Sequence, residues 1–455
     1  MSAPLAAALD LGSTRLKLAL LAADGELELR ASAPFPSRVL DALRVEVDLE
    51  QVVELVTGML ALVPRGTPLG VATQRSTFVL FESRGARPVA PVLSWRDRRA
   101  QSWCERNRDL GAWAEGSLGL RLSPHYAGPK VASLCEEQPQ LRERIERGGI
   151  AFGTLETYLI QRLSSGTHHT TDVSMAARTL LLDPRSARWD LRILERAGVH
   201  GLGMPSVTDS RGSLGSLDNG LEVRAALSDQ ASALVASTLD SDVLVNLGTG
   251  GFVLAPTASF EARAGWLCGP TYARNGAVGF ALEGTINGGG ATLAELGQGE
   301  IELDASDDLL CMPDENGWGA PYWDAARSVT FSRDCADPQR LRSAWITGLL
   351  FRVRELIEAL APRASRVRLA GGLAHHELVA RALASTLGRT IERLEAPEST
   401  LLGVARLAAG LEPFADPRVV RMDPAPELSW LHQRFDAWRD WMLALRGTPP
   451  ARPTR

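Results

Sequence analysis

The sequence predicts an α/β protein made of two duplicated domains that face one central cleft. Three observations carry the prediction. At 455 residues the chain has room for two to four domains of about 100–200 residues each. A composition of 45% hydrophobic and 23% charged residues supports a substantial buried core and excludes global disorder. Finally, Ala-Leu-Asp-Leu-Gly-Ser-Thr (8–14) returns half a chain later as Val-Asn-Leu-Gly-Thr-Gly-Gly (245–251). Each copy reads as a strand, a Gly/Ser/Thr turn and a second strand, as internal duplication requires.

The elements follow in order. Leu5–Leu9 and Leu16–Leu21 are the strands flanking the first turn, and Leu27–Ala31 is a third. Asp48–Leu62 spaces Val52, Val53, Leu55, Val56, Met59 and Leu60 at helical period. Val71–Ala72 and Phe78–Phe81 read as short strands, and residues 98–200 as mostly helical. A helix begins at Asp229. Residues 1–240 thus form one domain and 241–445 the next, followed by a Pro/Arg-rich tail at 446–455. In the second half, Val243–Asn246, Phe252–Ala255, Ala277–Leu282 and Val367–Ala370 read as strands. Residues 339–361, Leu378–Leu387, Leu401–Ala409 and Glu427–Leu445 read as helices, the last packing Trp430, Phe435, Trp438 and Trp441.

Charge and cysteine content narrow the function classes. A net charge of −5 gives no basic surplus for nucleic acid or an anionic membrane. The five cysteines form no CxxC pair, which fits a reducing compartment and neither a disulfide framework nor a zinc module. The N-terminus shows neither a basic leader nor a long apolar run, so the expected location is the cytoplasm. Lys17 and Lys130 are the only lysines among 49 Lys and Arg residues.

Three glycine turns follow strands, at 10–14, 248–251 and 371–372. Small residues let several backbone N–H groups approach an anion together, so three such turns suggest a polyphosphate between the domains. No GxxxxGK[ST] or GxGxxG pattern is present, which excludes a P-loop and weighs against a dinucleotide fold. Asp10 beside the first turn suits a Mg²⁺ shared with phosphates. Asp229 opens a helix, where an acid also serves as a cap or dipole partner.

Taken in order, these motifs resemble the FGGY carbohydrate kinase family over about residues 5–410. Asp10-Leu-Gly-Ser-Thr resembles its first phosphate motif and Gly248-Thr249-Gly250-Gly251-Phe252 its second. Gln74-Arg75 and Ser94-Trp95-Arg96-Asp97-Arg98-Arg99 resemble its sugar-binding segments, in a glycerol-kinase-like form. Thr171-Asp172-Val-Ser-Met-Ala-Ala-Arg178 resembles its central signature, and Ser228-Asp229-Gln230 its catalytic Gly-Asp-Gln. Leu282-Glu283-Gly284, Gly319–Asp324 and Gly371-Gly372 complete the set.

The resemblance implies two actin-like (ribonuclease H-like) ATPase domains and ATP-dependent phosphorylation of a small sugar or polyol. It implies Asp229 as general base, Asp10 on Mg²⁺, and Arg75, Ser76, Trp95, His125, Asp229 and Phe252 around the substrate. It places Gly12, Ser13, Thr14, Lys17, Gly248, Thr249, Gly290, Gly371, Gly372 and His376 around the nucleotide, and it allows a homodimer. The chain departs from the pattern at Ser76 (a carboxylate in the family), His125 (a tyrosine), Ser133 (a tryptophan) and Ser228 (a glycine). Those departures leave a second reading open, a catalytically impaired sugar or nucleotide sensor on the same fold.

Overall fold

The computed structural model describes residues 3–237, 242–248, 250–296, 300–396, 398–413 and 417–447. Two mixed sheets organise the chain. The first comprises β1 (Ala6–Leu11), β2 (Arg15–Leu21), β3 (Leu27–Pro34), β4 (Pro68–Thr73), β5 (Arg211–Ser216) and β6 (Glu222–Ser228), in the order β5-β6-β4-β1-β2-β3. The second comprises β7 (Asp242–Leu247), β8 (Gly251–Thr257), β9 (Leu267–Arg274), β10 (Ala277–Ile286), β11 (Arg366–Ala370), β12 (Ile391–Leu394) and β13 (Val419–Met422). Its order is β9-β10-β8-β7-β11-β12-β13.

The duplication read from two short turns extends to the whole sheet plan. The run β3-β2-β1-β4-β6 corresponds to β10-β8-β7-β11-β12. Each run has two antiparallel pairings followed by two parallel ones. The predicted boundary at 240/241 lies outside the described residues, as does the tail from residue 448.

Seven helices matter here: α1 (Leu49–Leu60), α2 (Ala127–Glu137), α3 (Asp229–Ser237), α4 (Pro338–Leu360), α5 (Glu377–Leu387), α6 (Ser399–Ala408) and α7 (Trp430–Gly447). α1 starts where the Asp48 carboxylate accepts the Gln51 N–H, and it buries Val52, Val53, Val56 and Met59 against the first sheet. In α7, Phe435 and Trp438 are fully buried against Phe351 of α4, as their spacing predicts.

α3 and α6 lie between the sheets. α6 packs Leu401, Val404 and Ala405 against Ala6, Ala8, Ala72 and Leu227 of the first sheet. α3 packs Ala233 and Leu234 against Leu244, Leu254 and Ala370 of the second. The helices touch where Gly403 meets Ser232; a Cβ on Gly403 would stand 1.9 Å from the Ser232 carbonyl oxygen. Each sheet is therefore covered partly by a helix next to strands of the other.

The middle segment is less helical than expected. Phe78–Glu82 leaves the main sheet and pairs with Ile150–Thr154, a strand inside the region read as helical. β5, β6, β9, β12 and β13 are further strands that the sequence pattern does not predict. β6 (Glu-Val-Arg-Ala-Ala-Leu-Ser) is rich in alanine, which has little strand preference of its own. Tertiary burial between β4 and β5 makes it a strand.

Candidate active site

Parallel neighbours β6, β4 and β1 end at the same level, with Ser228 opposite Thr73 and Leu11 opposite Thr73. Their carboxyl ends therefore deliver Asp229, Gln74-Arg75 and the Asp10 turn to one place, the usual site position in an α/β sheet. Asp229 is the first residue of α3, and its carboxylate stays partly exposed. Burial raises its pKa above the ordinary aspartate value, with Arg75 acting against the rise. The Arg75 Nε lies 3.8 Å from Asp229 Oδ1.

Asp10 is buried, and its Oδ1 has no hydrogen-bond partner. Burial, reinforced by Asp229 and opposed by Lys17, pushes its carboxyl up to about 8. An orphaned buried carboxylate oxygen facing a second acid is the environment that a hard cation relieves. Among the described residues no cluster of three or more His, Cys, Asp or Glu could hold a metal by itself. A cation at Asp10 would thus need oxygens from a bound substrate, as Mg²⁺ sites on phosphates do.

The second domain contributes a residue to which the sequence reading gave no role. Glu283 of β10 is buried and takes two bonds from Arg75, Nη1 at 2.7 Å and Nη2 at 3.2 Å. Arg178 adds a third at 2.6 Å. Burial alone would raise Glu283, but the two guanidinium groups overcome it and hold the carboxyl at about 2. An acid inside the apolar strand Gly-Phe-Ala-Leu-Glu-Gly-Thr-Ile was the available signal, since a buried charge demands a partner. Gln230, also given no role in that reading, accepts a bond from Asn246 Nδ2 at 3.0 Å.

The predicted sugar-side residues converge. Phe252 of β8 lies under Arg75, 5.7 Å from guanidinium carbon to ring centre. Trp95 packs edge-on to His125 at 5.0 Å. Its indole N–H donates to Ser13 Oγ of the first turn at 3.0 Å. Lys130 of α2 is fully buried and donates to the Ser94 carbonyl at 2.6 Å, holding the backbone that carries Trp95. Burial lowers His125 to about 3, helped by Lys130, Arg75 and Arg178, so its imidazole is neutral. Ser76 is placed differently from its expected role. It is buried at φ 67°, and its hydroxyl donates to the Arg178 carbonyl at 2.8 Å, so it is turned from the cleft into the fold.

The residues expected around the nucleotide are divided between the two domains, Gly12–Thr14 on the first and Gly248, Gly290, Gly371, Gly372 and His376 on the second. Gly12 donates its N–H to the Arg15 carbonyl at 3.0 Å, closing the first turn over Ser13 and Thr14. Gly290 donates its N–H to the carbonyl of Gly248 in the second turn at 2.9 Å; Thr249 lies outside the described residues. Gly371 has φ 94°, and a Cβ there would stand 2.4 Å from the Leu247 carbonyl oxygen, so glycine is required. Gly372 and His376 are exposed just before α5. Lys17 points to Glu398, not to the turn, with an ion pair of 2.6 Å that links β2 to the start of α6.

Two α/β domains of matching sheet plan, each with a glycine turn at its strand ends and with Asp229 beside the first of them, have the actin-like fold of the sugar kinases. The model of the FGGY family of carbohydrate kinases, N-terminal domain, matches residues 5–241, and that of its C-terminal domain matches residues 243–411. The chain belongs to the FGGY family of carbohydrate kinases. It is 28% identical over 487 residues to a glycerol kinase from Pseudomonas putida, covering 97% of this chain and 96% of that one. It is 32% identical over 435 residues to a glycerol kinase from Thermus brockianus, covering 88% of each. A gluconate kinase from Lactobacillus acidophilus shares the fold, with a TM-score of 0.83 at 18% identity over 97% of this chain and 98% of that one. The chain is accordingly an ATP-dependent carbohydrate kinase, a phosphotransferase with an alcohol acceptor. No helix among the described residues is long and apolar enough to cross a membrane.

Proposed function

We propose that this kinase transfers the γ-phosphoryl group of Mg-ATP to one hydroxyl of a small sugar or polyol, with Asp229 as general base. The observation that carries the reading is the placement of Asp229. It is the partly exposed carboxylate at the strand ends, next to Arg75 and electrostatically coupled to Asp10.

Asp229 accepts the proton of the attacking hydroxyl as the oxygen advances on the γ-phosphorus. Burial moves its pKa toward the working pH, which favours a base of this kind. Arg75 holds Asp229 in orientation while Glu283 holds Arg75, so the base is positioned from both domains. Trp95 and Phe252 supply flat apolar faces for the carbon skeleton of the acceptor. Gln230 and neutral His125 offer uncharged polar groups to its hydroxyls. Asp10 would hold Mg²⁺ together with phosphate oxygens; the ion, when bound, neutralises charge on the transferring group. The turns at Gly12–Thr14 and Gly248, with Gly290, Gly371 and Gly372, present backbone to the polyphosphate.

Glycerol kinases are among the relatives that match most of the chain, so a three-carbon polyol heads the substrate panel. Ser76 shifts the expectation away from glycerol itself. A serine committed to the Arg178 carbonyl offers no carboxylate to a substrate hydroxyl, and an acceptor removed from a site changes which hydroxyls it selects. The test is ATP turnover across polyols, ketoses and sugar acids, with wild type and Asp229→Asn. Acceptor-dependent turnover lost in the folded variant supports the reading. Transfer retained in Asp229→Asn removes the base, and nucleotide binding with no acceptor turned over favours a sensor.

A further inference from the structure

Behind the site lies a buried acid that the mechanism above does not use. Asp172 is 1% exposed, between the first sheet and β9 of the second. Its Oδ1 accepts the Ser174 N–H at 2.8 Å, the Met175 N–H at 3.3 Å and the Ser174 hydroxyl. Its Oδ2 accepts the Ser210 hydroxyl at 2.5 Å. Both serines are themselves buried.

The polarity of these bonds is informative. In its ionised form Asp172 only accepts, so each hydroxyl then spends its single proton on it. Each then turns a lone pair to a backbone N–H. Ser174 Oγ accepts from Ser228 N at 2.9 Å, one residue before Asp229. Ser210 Oγ accepts from Ala273 N of β9 at 2.9 Å. Ser210 also donates its own N–H to the Ala273 carbonyl at 2.9 Å and accepts at its carbonyl from Ala226 N of β6 at 3.1 Å. One side chain thus sets the direction of two hydroxyls, one gripping the strand that ends at Asp229 and the other gripping the second domain.

We propose that Asp172 is a positioning residue for phosphoryl transfer, fixing the Ser228–Asp229 backbone through Ser174 and registering it against the second domain through Ser210. The proposal rests on Asp229 being the base. Reacting groups displaced by about 1 Å lose on the order of 100-fold in rate, so small slackness at Ser228 has a large kinetic effect. The carboxylate touches no substrate, and its loss acts on kcat rather than on binding.

The experiment compares wild type with Ser174→Ala, Ser174→Thr, Asp172→Asn and Ser210→Ala, using the acceptor that gives the fastest wild-type turnover. Ser174→Ala deletes the acceptor for Ser228 N together with the hydroxyl's own bond to Asp172 Oδ1. We expect kcat to fall about 10- to 100-fold, with KM for acceptor and ATP within about threefold. Ser174→Thr keeps the hydroxyl and restores most of kcat. Asp172→Asn replaces an acceptor by an amide donor facing Ser210, and follows Ser174→Ala. A merely structural role predicts losses that track melting temperature and no recovery with threonine; that result overturns the proposal, as does a Ser174→Ala kcat within twofold of wild type. Should Ser174→Ala not fold, Ser210→Ala carries the same test on the second grip. Asp229→Asn assayed alongside separates the two readings. If it stays active the base assignment fails, whereas an inactive Asp229→Asn beside a fully active Ser174→Ala removes the positioning role alone.

Discussion

Replacing Glu283 by glutamine gives the sharpest test of how the two domains are held at the cleft. The side chain keeps its shape and loses its charge, leaving Arg75 and Arg178 facing a neutral amide. Two routes give the magnitude. The carboxyl sits at about 2 against an ordinary 4.5. At about 1.4 kcal/mol per pKa unit, that difference corresponds to roughly 3 kcal/mol of stability. Removing one partner of a buried ion pair costs about 3–5 kcal/mol in general, which agrees. The sign follows from linkage: a depressed carboxyl contributes fully above pH 4.5, and the contribution disappears as pH falls from 4.5 toward 2. Urea unfolding of both proteins at pH 7 should therefore show the variant less stable by about 3 kcal/mol, with the gap closing below pH 4.5. Adding Arg178→Leu to the variant should recover part of the loss, because an unpaired buried charge costs more than an absent pair. A variant within about 1 kcal/mol of wild type at pH 7, or a double variant that is strictly additive, would refute the reasoning.

Further expectations concern the base, the metal, the helix contact and the lysines. The acid limb of kcat/KM should lie above the ordinary aspartate range and report Asp229, with activity falling as pH drops through it. Arg75→Gln should move that limb to higher pH, because Arg75 holds the Asp229 pKa down. Asp10→Asn should raise the Mg²⁺ concentration needed for half-maximal turnover, read by metal titration at fixed ATP, while the fold persists by circular dichroism. Gly403→Ala should cost about 1–3 kcal/mol, read as a lower melting temperature, since its Cβ would meet the Ser232 carbonyl oxygen at 1.9 Å. Lys130→Arg should destabilise the fold and raise the acceptor KM, because the larger planar group has no room in a fully enclosed site. Lys17→Arg, at a side chain 25% exposed, should be nearly silent in stability.

Much of the fold was legible because the chemistry is local. A strand broken by Gly-Ser-Thr beside Asp10, repeated at Gly248–Gly251, announced a duplicated phosphate-facing turn. Helix α1 carried its apolar period in plain view. The cleft residues Asp10, Arg75 and Asp229 lie where adjacent strands end, and strand ends are marked by polar residues after apolar runs. What was not legible depends on partners distant in sequence. Nothing near Glu283 shows that its counter-ions are residues 75 and 178. Nothing near Ser76 shows that its hydroxyl serves a carbonyl 102 residues away. Lys17, placed around the nucleotide by the resemblance, finds Glu398 only once α6 crosses to the first sheet.

That crossing bears on the order in which the protein is made. The face of the first sheet formed by Ala6, Ala8, Ala72 and Leu227 is covered by Leu401, Val404 and Ala405. β6 ends at Ser228, so the first sheet is complete in sequence long before α6 exists. At about 5–20 residues per second, roughly 170 residues of synthesis leave that apolar face without its cover for on the order of 10–30 s. The first sheet therefore gains the last part of its apolar cover only when a helix from the second half has been made.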